Sequence, residues 1–173
     1  MNLPDIAART LRACRRHGVT LTTVESCTGG LVSAAITDVS GASDVFERAF
    51  VTYSNDAKRQ MVGVLLESLK AHGAVSEAIA REMAEGGLSK AGAGVAVALT
   101  GIAGPGGGTD EKPVGLVYIA CAVKGGGTVV ERKLWKLLEP GADRQRIREL
   151  SARAALELVV RTLDQEATAS PRP

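Results

Sequence analysis

The run GVAVALTG (residues 94–101) limits the possible folds more than any other segment. Its residues are uncharged, small or β-branched, and glycine bounds it at both ends. That pattern predicts a strand buried on both faces. Such a strand needs a layer of other elements above it and another below it. A glycine-rich segment, GIAGPGGGTDEKP (101–113), continues directly from it and predicts a loop with closely approachable backbone.

The flanking sequence supplies the layers. Residues 4–17 carry Ile6, Leu11 and Cys14 at helical spacing, and Gly18 is a natural stop. VTLTTVES (19–26) has the β-branched density of a strand, and 29–39 reads as a helix. Residues 49–54 predict another strand, with Asn55 capping a short helix after it. A helical turn ends at Gly73, and Ser76 precedes an amphipathic helix ending near Gly92. Residues 115–123 and 128–137 flank KGGG and predict a hairpin. Asp143 is placed to cap a long final helix. Strands alternating with helices, apart from one hairpin, predict a three-layer α/β/α sandwich. Its sheet should be mixed, mostly parallel, and of about five strands.

The chain has 173 residues, which fits a single domain over 1–164, with 165–173 expected as a disordered tail. Hydrophobic residues make up 45% but aromatics only 3%, so the core must be built from Ala, Val, Leu and Ile. Twenty-one basic residues face nineteen acidic ones, without a basic run, which argues against nucleic acid as a partner. No apolar stretch is long enough to span a bilayer, and the amphipathic start lacks the apolar segment of a signal peptide. The expected location is the cytoplasm, with no membrane partner. Cys14, Cys27 and Cys121 are widely spaced and read as reduced thiols. His17 and His72 each precede a glycine at an expected helix end, which leaves no histidine for a catalytic triad or a metal site.

If the first strands are parallel, ESCTGG, YSNDAK and TGIAGPGGG all leave the sheet at one edge, where open α/β sheets bind ligands. Ser26 sits where a strand turns into a helix. The amides of Thr28, Gly29 and Gly30 would be free there to bind phosphate or an oxyanion. Lys58, near a helix start and close to burial, would lose basicity and could deprotonate a serine. On spacing alone, the serine equally fits a helix cap, Lys58 a solvated surface residue and Tyr53 a core aromatic. Cys27 is a rival nucleophile with no histidine to activate it. The glycine-rich loop alone fits a flexible surface loop as well.

Taken together and in order, ESCTGG, FVTYSNDAK, HGAVSEAIAREMAEG, ALTGIAGPGGGTDEKPVG and GADRQRIR resemble the CinA C-terminal domain family over residues 4–163. The resemblance implies hydrolysis of nicotinamide mononucleotide to nicotinate mononucleotide and ammonia, without a cofactor or metal. It implies Ser26 as nucleophile, Lys58 as general base and Tyr53 as a partner in their hydrogen-bonded set. Amides near Cys27 and Thr28 would hold the oxyanion, and Gly29 and Gly30 beside them would belong to the substrate site. Thr100, Gly101 and Gly104 would line the substrate site, and Arg144 and Arg148 are candidates for the phosphate. Many relatives carry an additional N-terminal domain, whose activity is not assigned to this chain. Two other readings stay open: a non-catalytic nucleotide-binding module, and a serine amidase for another small pyridine or nucleotide amide. A homodimer is the default assembly.

Overall fold

The structure, a computed structural model, describes residues 2–169. Its strands are β1 (Leu21–Glu25), β2 (Phe46–Val51), β3 (Val95–Gly101), β4 (Leu116–Val123) and β5 (Thr128–Leu134). They form one sheet in the order β2-β1-β3-β4-β5. β1 pairs in parallel with β2 and with β3, and β4 runs antiparallel to both β3 and β5. Among the described residues, β4 alone is reversed, so the sheet is mixed with most strands pointing one way. β3 lies at its centre, and Val95 through Thr100 are buried.

Helices α1 (Leu3–His17), α2 (Leu31–Thr37) and α7 (Arg144–Ala169) cover one face. Helices α3 (Asn55–Val62), α4 (Leu66–His72) and α5 (Glu77–Ala91) cover the other. Successive β3 residues point to opposite faces. Val97 and Leu99 pack with Leu11, Val32 and Leu156, whereas Ala98 packs with Ile79, Met83 and Val62. The alanine side lets α5 approach closely, and the helix answers with glycines. A Cβ on Gly87 would collide with Val24 of β1, and one on Gly86 with the Val62 carbonyl of α3. This close packing fixes α3, and with it Lys58, against the sheet.

Several boundaries differ from the sequence reading. β2 spans Phe46–Val51 rather than 49–54. It is an edge strand whose Glu47 and Arg48 face solvent, so its polar start hides it from a periodicity argument. α2 begins at Leu31 because Gly29 and Gly30 hold φ of 59° and 99°, outside helical space. Ser54, not Asn55, caps α3: its backbone is extended and its hydroxyl accepts from the Ala57 amide at 3.0 Å. β5 stops at Leu134, after which Trp135 opens the short α6 (Trp135–Leu138) and donates from Nε1 to Ser151 Oγ of α7. α7 runs on to Ala169, so residues 165–169 of the expected tail are helical, and 170–173 lie outside the described residues. Asp143 caps α7 as expected, accepting from the Arg146 amide at 2.8 Å.

Gly86→Ala should therefore overpack the α3–α5 contact and destabilise the fold by about 1–3 kcal/mol. Urea unfolding measures this. An unchanged midpoint would show that α3 can shift without cost.

Candidate active site

β1, β2 and β3 are parallel, and their register places Glu25 opposite Val51 and Leu99. The segments after them therefore leave the same sheet edge. They enclose a cavity of about 300 Å3 that Ser26, Lys58, Tyr53, Thr100, Gly104 and Arg144 help to line. Cys27 and Gly101 also reach its wall, as does Asn55, whose side chain Ser54 has relieved of the capping role. Thr28, Gly29, Gly30 and Arg148 do not line it. A neighbouring cavity of about 670 Å3 shares Ala103 and Arg144 with the first and is lined by Arg148 and Lys136. It is larger but holds no nucleophile–base pair.

Lys58 is 1% exposed, which is extreme for a lysine. Its position in the first turns of α3 sends the side chain back under the end of β2. Lys58 Nζ lies 3.0 Å from Ser26 Oγ and donates to the Thr52 carbonyl at 2.9 Å and the Tyr53 carbonyl at 3.5 Å. Burial holds its pKa below the ordinary lysine value. These partners suit both protonation states. A neutral amine has two N–H groups for the two carbonyls and a lone pair for the serine hydroxyl. An ammonium donates to all three oxygens.

Ser26 is itself buried, and its amide donates to the Leu99 carbonyl, which ties the turn to β3. The following turn corrects the expectation of free amides for Gly29 and Gly30, though not for Thr28. The Gly29 amide donates to the Ser26 carbonyl, and the Gly30 amide donates to the Glu25 carboxylate at 3.0 Å. The Cys27 and Thr28 amides donate to no other residue among the described ones. Burial pushes the Cys27 thiol up to about 11, so it stays protonated near neutrality and is a poor nucleophile.

Tyr53 joins the lysine through its main-chain carbonyl. Its ring is exposed, and its hydroxyl accepts from Arg144 at 3.1 Å. Arg144 also donates to the Gly104 carbonyl at 2.7 Å, bridging the glycine-rich loop to the β2–α3 turn. Thr100 turns its hydroxyl to the Ala74 carbonyl at 2.7 Å. Arg148 donates to the Thr28 carbonyl at 2.8 Å and lines the neighbouring cavity rather than this one. Among the described residues, no group of His, Cys, Asp and Glu side chains is arranged to hold a metal ion. None of the helices there is long and apolar enough to cross a membrane.

Two residues of the site went unread in the sequence. Thr52 supplies the nearest carbonyl to the lysine, a main-chain role with no side-chain signature. Glu25 did leave a signal: a carboxylate ending the otherwise uncharged strand LTTVE, where burial demands hydrogen-bond partners.

Residues 4–163 match the CinA C-terminal domain. The chain is 46% identical over 155 residues to the nicotinamide-nucleotide amidohydrolase PncC of Escherichia coli, covering 90% of this chain and 91% of that protein. It is 52% identical over 164 residues to a putative competence-damage inducible protein of Symbiobacterium thermophilum, covering 93% of this chain but only 38% of that longer protein. The crystal structure of the competence/damage inducible protein CihA from Agrobacterium tumefaciens superposes with a TM-score of 0.88 at 43% identity, covering 95% of this chain and 97% of that one.

The buried lysine makes stability depend on pH in a defined sense. Its folded pKa lies below the unfolded value near 10.5, so between the two the unfolded chain binds the extra proton. The Lys58 contribution should rise with pH across that window and level off above it. Lys58→Met should remove this rise. Denaturant unfolding of both proteins through the alkaline range provides the measurement, and parallel curves would show that Lys58 is no more acidic when folded than when unfolded.

Proposed function

The chain belongs to the CinA C-terminal domain family, and from that premise we propose that it is a serine–lysine amidohydrolase acting on nicotinamide mononucleotide. One observation carries the proposal: a fully buried lysine amine of lowered pKa, 3.0 Å from a serine hydroxyl at the wall of a cavity. The name of the Escherichia coli relative supports the substrate.

In the proposed reaction, neutral Lys58 takes the Ser26 proton as the oxygen attacks the carboxamide carbon. The Cys27 and Thr28 amides receive the developing oxyanion. The Lys58 ammonium then passes its proton to the departing nitrogen as the carbon–nitrogen bond breaks and ammonia leaves. Water, deprotonated by the same amine, attacks the acyl-enzyme and releases nicotinate mononucleotide with the serine restored. An unperturbed lysine would be neutral in fewer than about one molecule in a thousand at neutral pH, so the burial of Lys58 is a requirement of the mechanism.

Arg144 reads the phosphate in this proposal. Two contacts occupy part of its guanidinium, and it retains further N–H donors at the cavity wall. The nicotinamide ring would then lie toward Ser26 and Lys58, with the ribose along the glycine-rich loop. Arg148 faces the neighbouring cavity and supports the turn.

Ammonia release from nicotinamide mononucleotide, its riboside, free nicotinamide and NAD tests the assignment, with the mononucleotide expected to be the best substrate. Tight binding of the mononucleotide without ammonia release would make the chain a binding module. Ser26→Ala should lower turnover by about 10⁴-fold or more while the protein stays folded. Activity should have an acidic limb, because protonation of Lys58 removes the base as pH falls. A charge-assisted bond to phosphate contributes about 1.5–3 kcal/mol, so Arg144→Ala should raise KM for the mononucleotide about tenfold or more. The riboside should lose far less, and equal losses for both would remove Arg144 from phosphate recognition.

A further inference from the structure

We propose that Glu25 is a positioning residue that sets the geometry of the nucleophile turn, with Arg148 as the opposing tie; the inference rests on the serine-amidase reading above. Glu25 ends β1, is 0% exposed and directly precedes Ser26. Its carboxylate accepts from the amides of Gly30 at 3.0 Å, Val32 at 3.0 Å and Ser33 at 2.9 Å, and from the Ser33 hydroxyl. Four donors converging on one buried side chain satisfy a carboxylate and no neutral replacement of the same shape.

The consequence for the site is geometric. Helix α2 has no side-chain cap of its own, and Gly30 at its start is in left-handed conformation. Glu25 therefore draws the start of α2 back onto the end of β1, which forces residues 26–29 into a tight turn. The Gly29 amide closes that turn on the Ser26 carbonyl. Arg148 holds its outer side through the Thr28 carbonyl. With both ends fixed, the helix-start amides are occupied, and the Cys27 and Thr28 amides are left as the turn's donors beside Ser26. Glu25 touches no reacting atom. It acts through the turn, and it directs its negative charge into the α2 N-terminus, where the helix dipole favours it.

Glu25→Gln keeps the shape but turns an acceptor into a donor facing another N–H. Ser33→Ala removes one of the four donors and leaves the carboxylate in place. Ser26 reactivity is read directly by a small fluorophosphonate: Ser26 Oγ bonds to phosphorus, fluoride leaves, and Lys58 takes the serine proton. Intact mass follows the labelling rate, alongside kcat and KM for ammonia release and a thermal melt. Glu25→Gln should be labelled more slowly, on the order of 10- to 100-fold, with kcat falling in parallel and KM nearly unchanged. Ser33→Ala should fall between it and the parent, and carries the test if Glu25→Gln does not fold. A folded Glu25→Gln or Ser33→Ala labelled at the parental rate overturns the inference, whatever its melting temperature. A parent chain labelled at Ser26 that releases no ammonia rejects the amidase reading and leaves this comparison standing. A parent chain not labelled at Ser26 overturns the inference as well.

Discussion

The site depends on one unusual burial, that of the Lys58 amine against Ser26. A lysine enclosed this completely ordinarily needs a carboxylate beside it. Here its hydrogen-bond partners are neutral: a hydroxyl and two main-chain carbonyls. That choice matters, because a carboxylate would hold the proton on the amine, whereas carbonyls satisfy its N–H groups and leave its basicity lowered by burial. The two carbonyls come from residues that have just left β2. Their position is therefore set by the parallel pairing of β2 with β1.

Both helical layers hold the elements around the site. On one side, α5 packs through Gly86 and Gly87 directly onto α3 and β1, which leaves the lysine helix no room to lift away. On the other, the first turns of α7 send two arginines into the loops at the sheet edge. Arg144 spans from the glycine-rich loop to Tyr53, and Arg148 holds the serine turn. The far end of the glycine-rich loop is tied by Lys112, which donates to the His72 carbonyl at the end of α4. Loops rich in glycine are thus held by long cationic side chains bonded to main-chain carbonyls. These bonds order the loop while keeping its own backbone close to the cavity.

The turn after β1 shows how a familiar pattern can hold a different solution. A serine followed by glycines at a strand–helix junction suggests helix amides waiting for an anion. In this fold the anion is internal, the side chain of Glu25, and the amides it leaves over belong to the turn. The start of α2 is thus already occupied by a carboxylate, which is why the proposed phosphate contact lies with Arg144 across the cavity.

The sequence alone determined the layered architecture, because an uncharged strand at 94–101 has to be covered on both faces. It also determined the convergence of three polar segments at one sheet edge, because parallel strands send their ends the same way. Ser26, Lys58 and Thr100 were legible for that reason, as short motifs lying just beyond strand ends. Edge strand β2 begins earlier than its pattern suggests, because the consecutive exposed residues Glu47, Arg48 and Ala49 break the alternation expected of a strand. Only the tertiary structure decided how deeply Lys58 is buried, since that depends on α5 packing onto α3 at Val62 and on how α3 then sits against the sheet. It alone separated the two arginines of α7: one helical turn apart in sequence, Arg144 bonds the glycine-rich loop and Tyr53, whereas Arg148 bonds the serine turn. It also decided the role of Glu25, because a carboxylate's partners are main-chain donors whose direction exists only once the chain has turned.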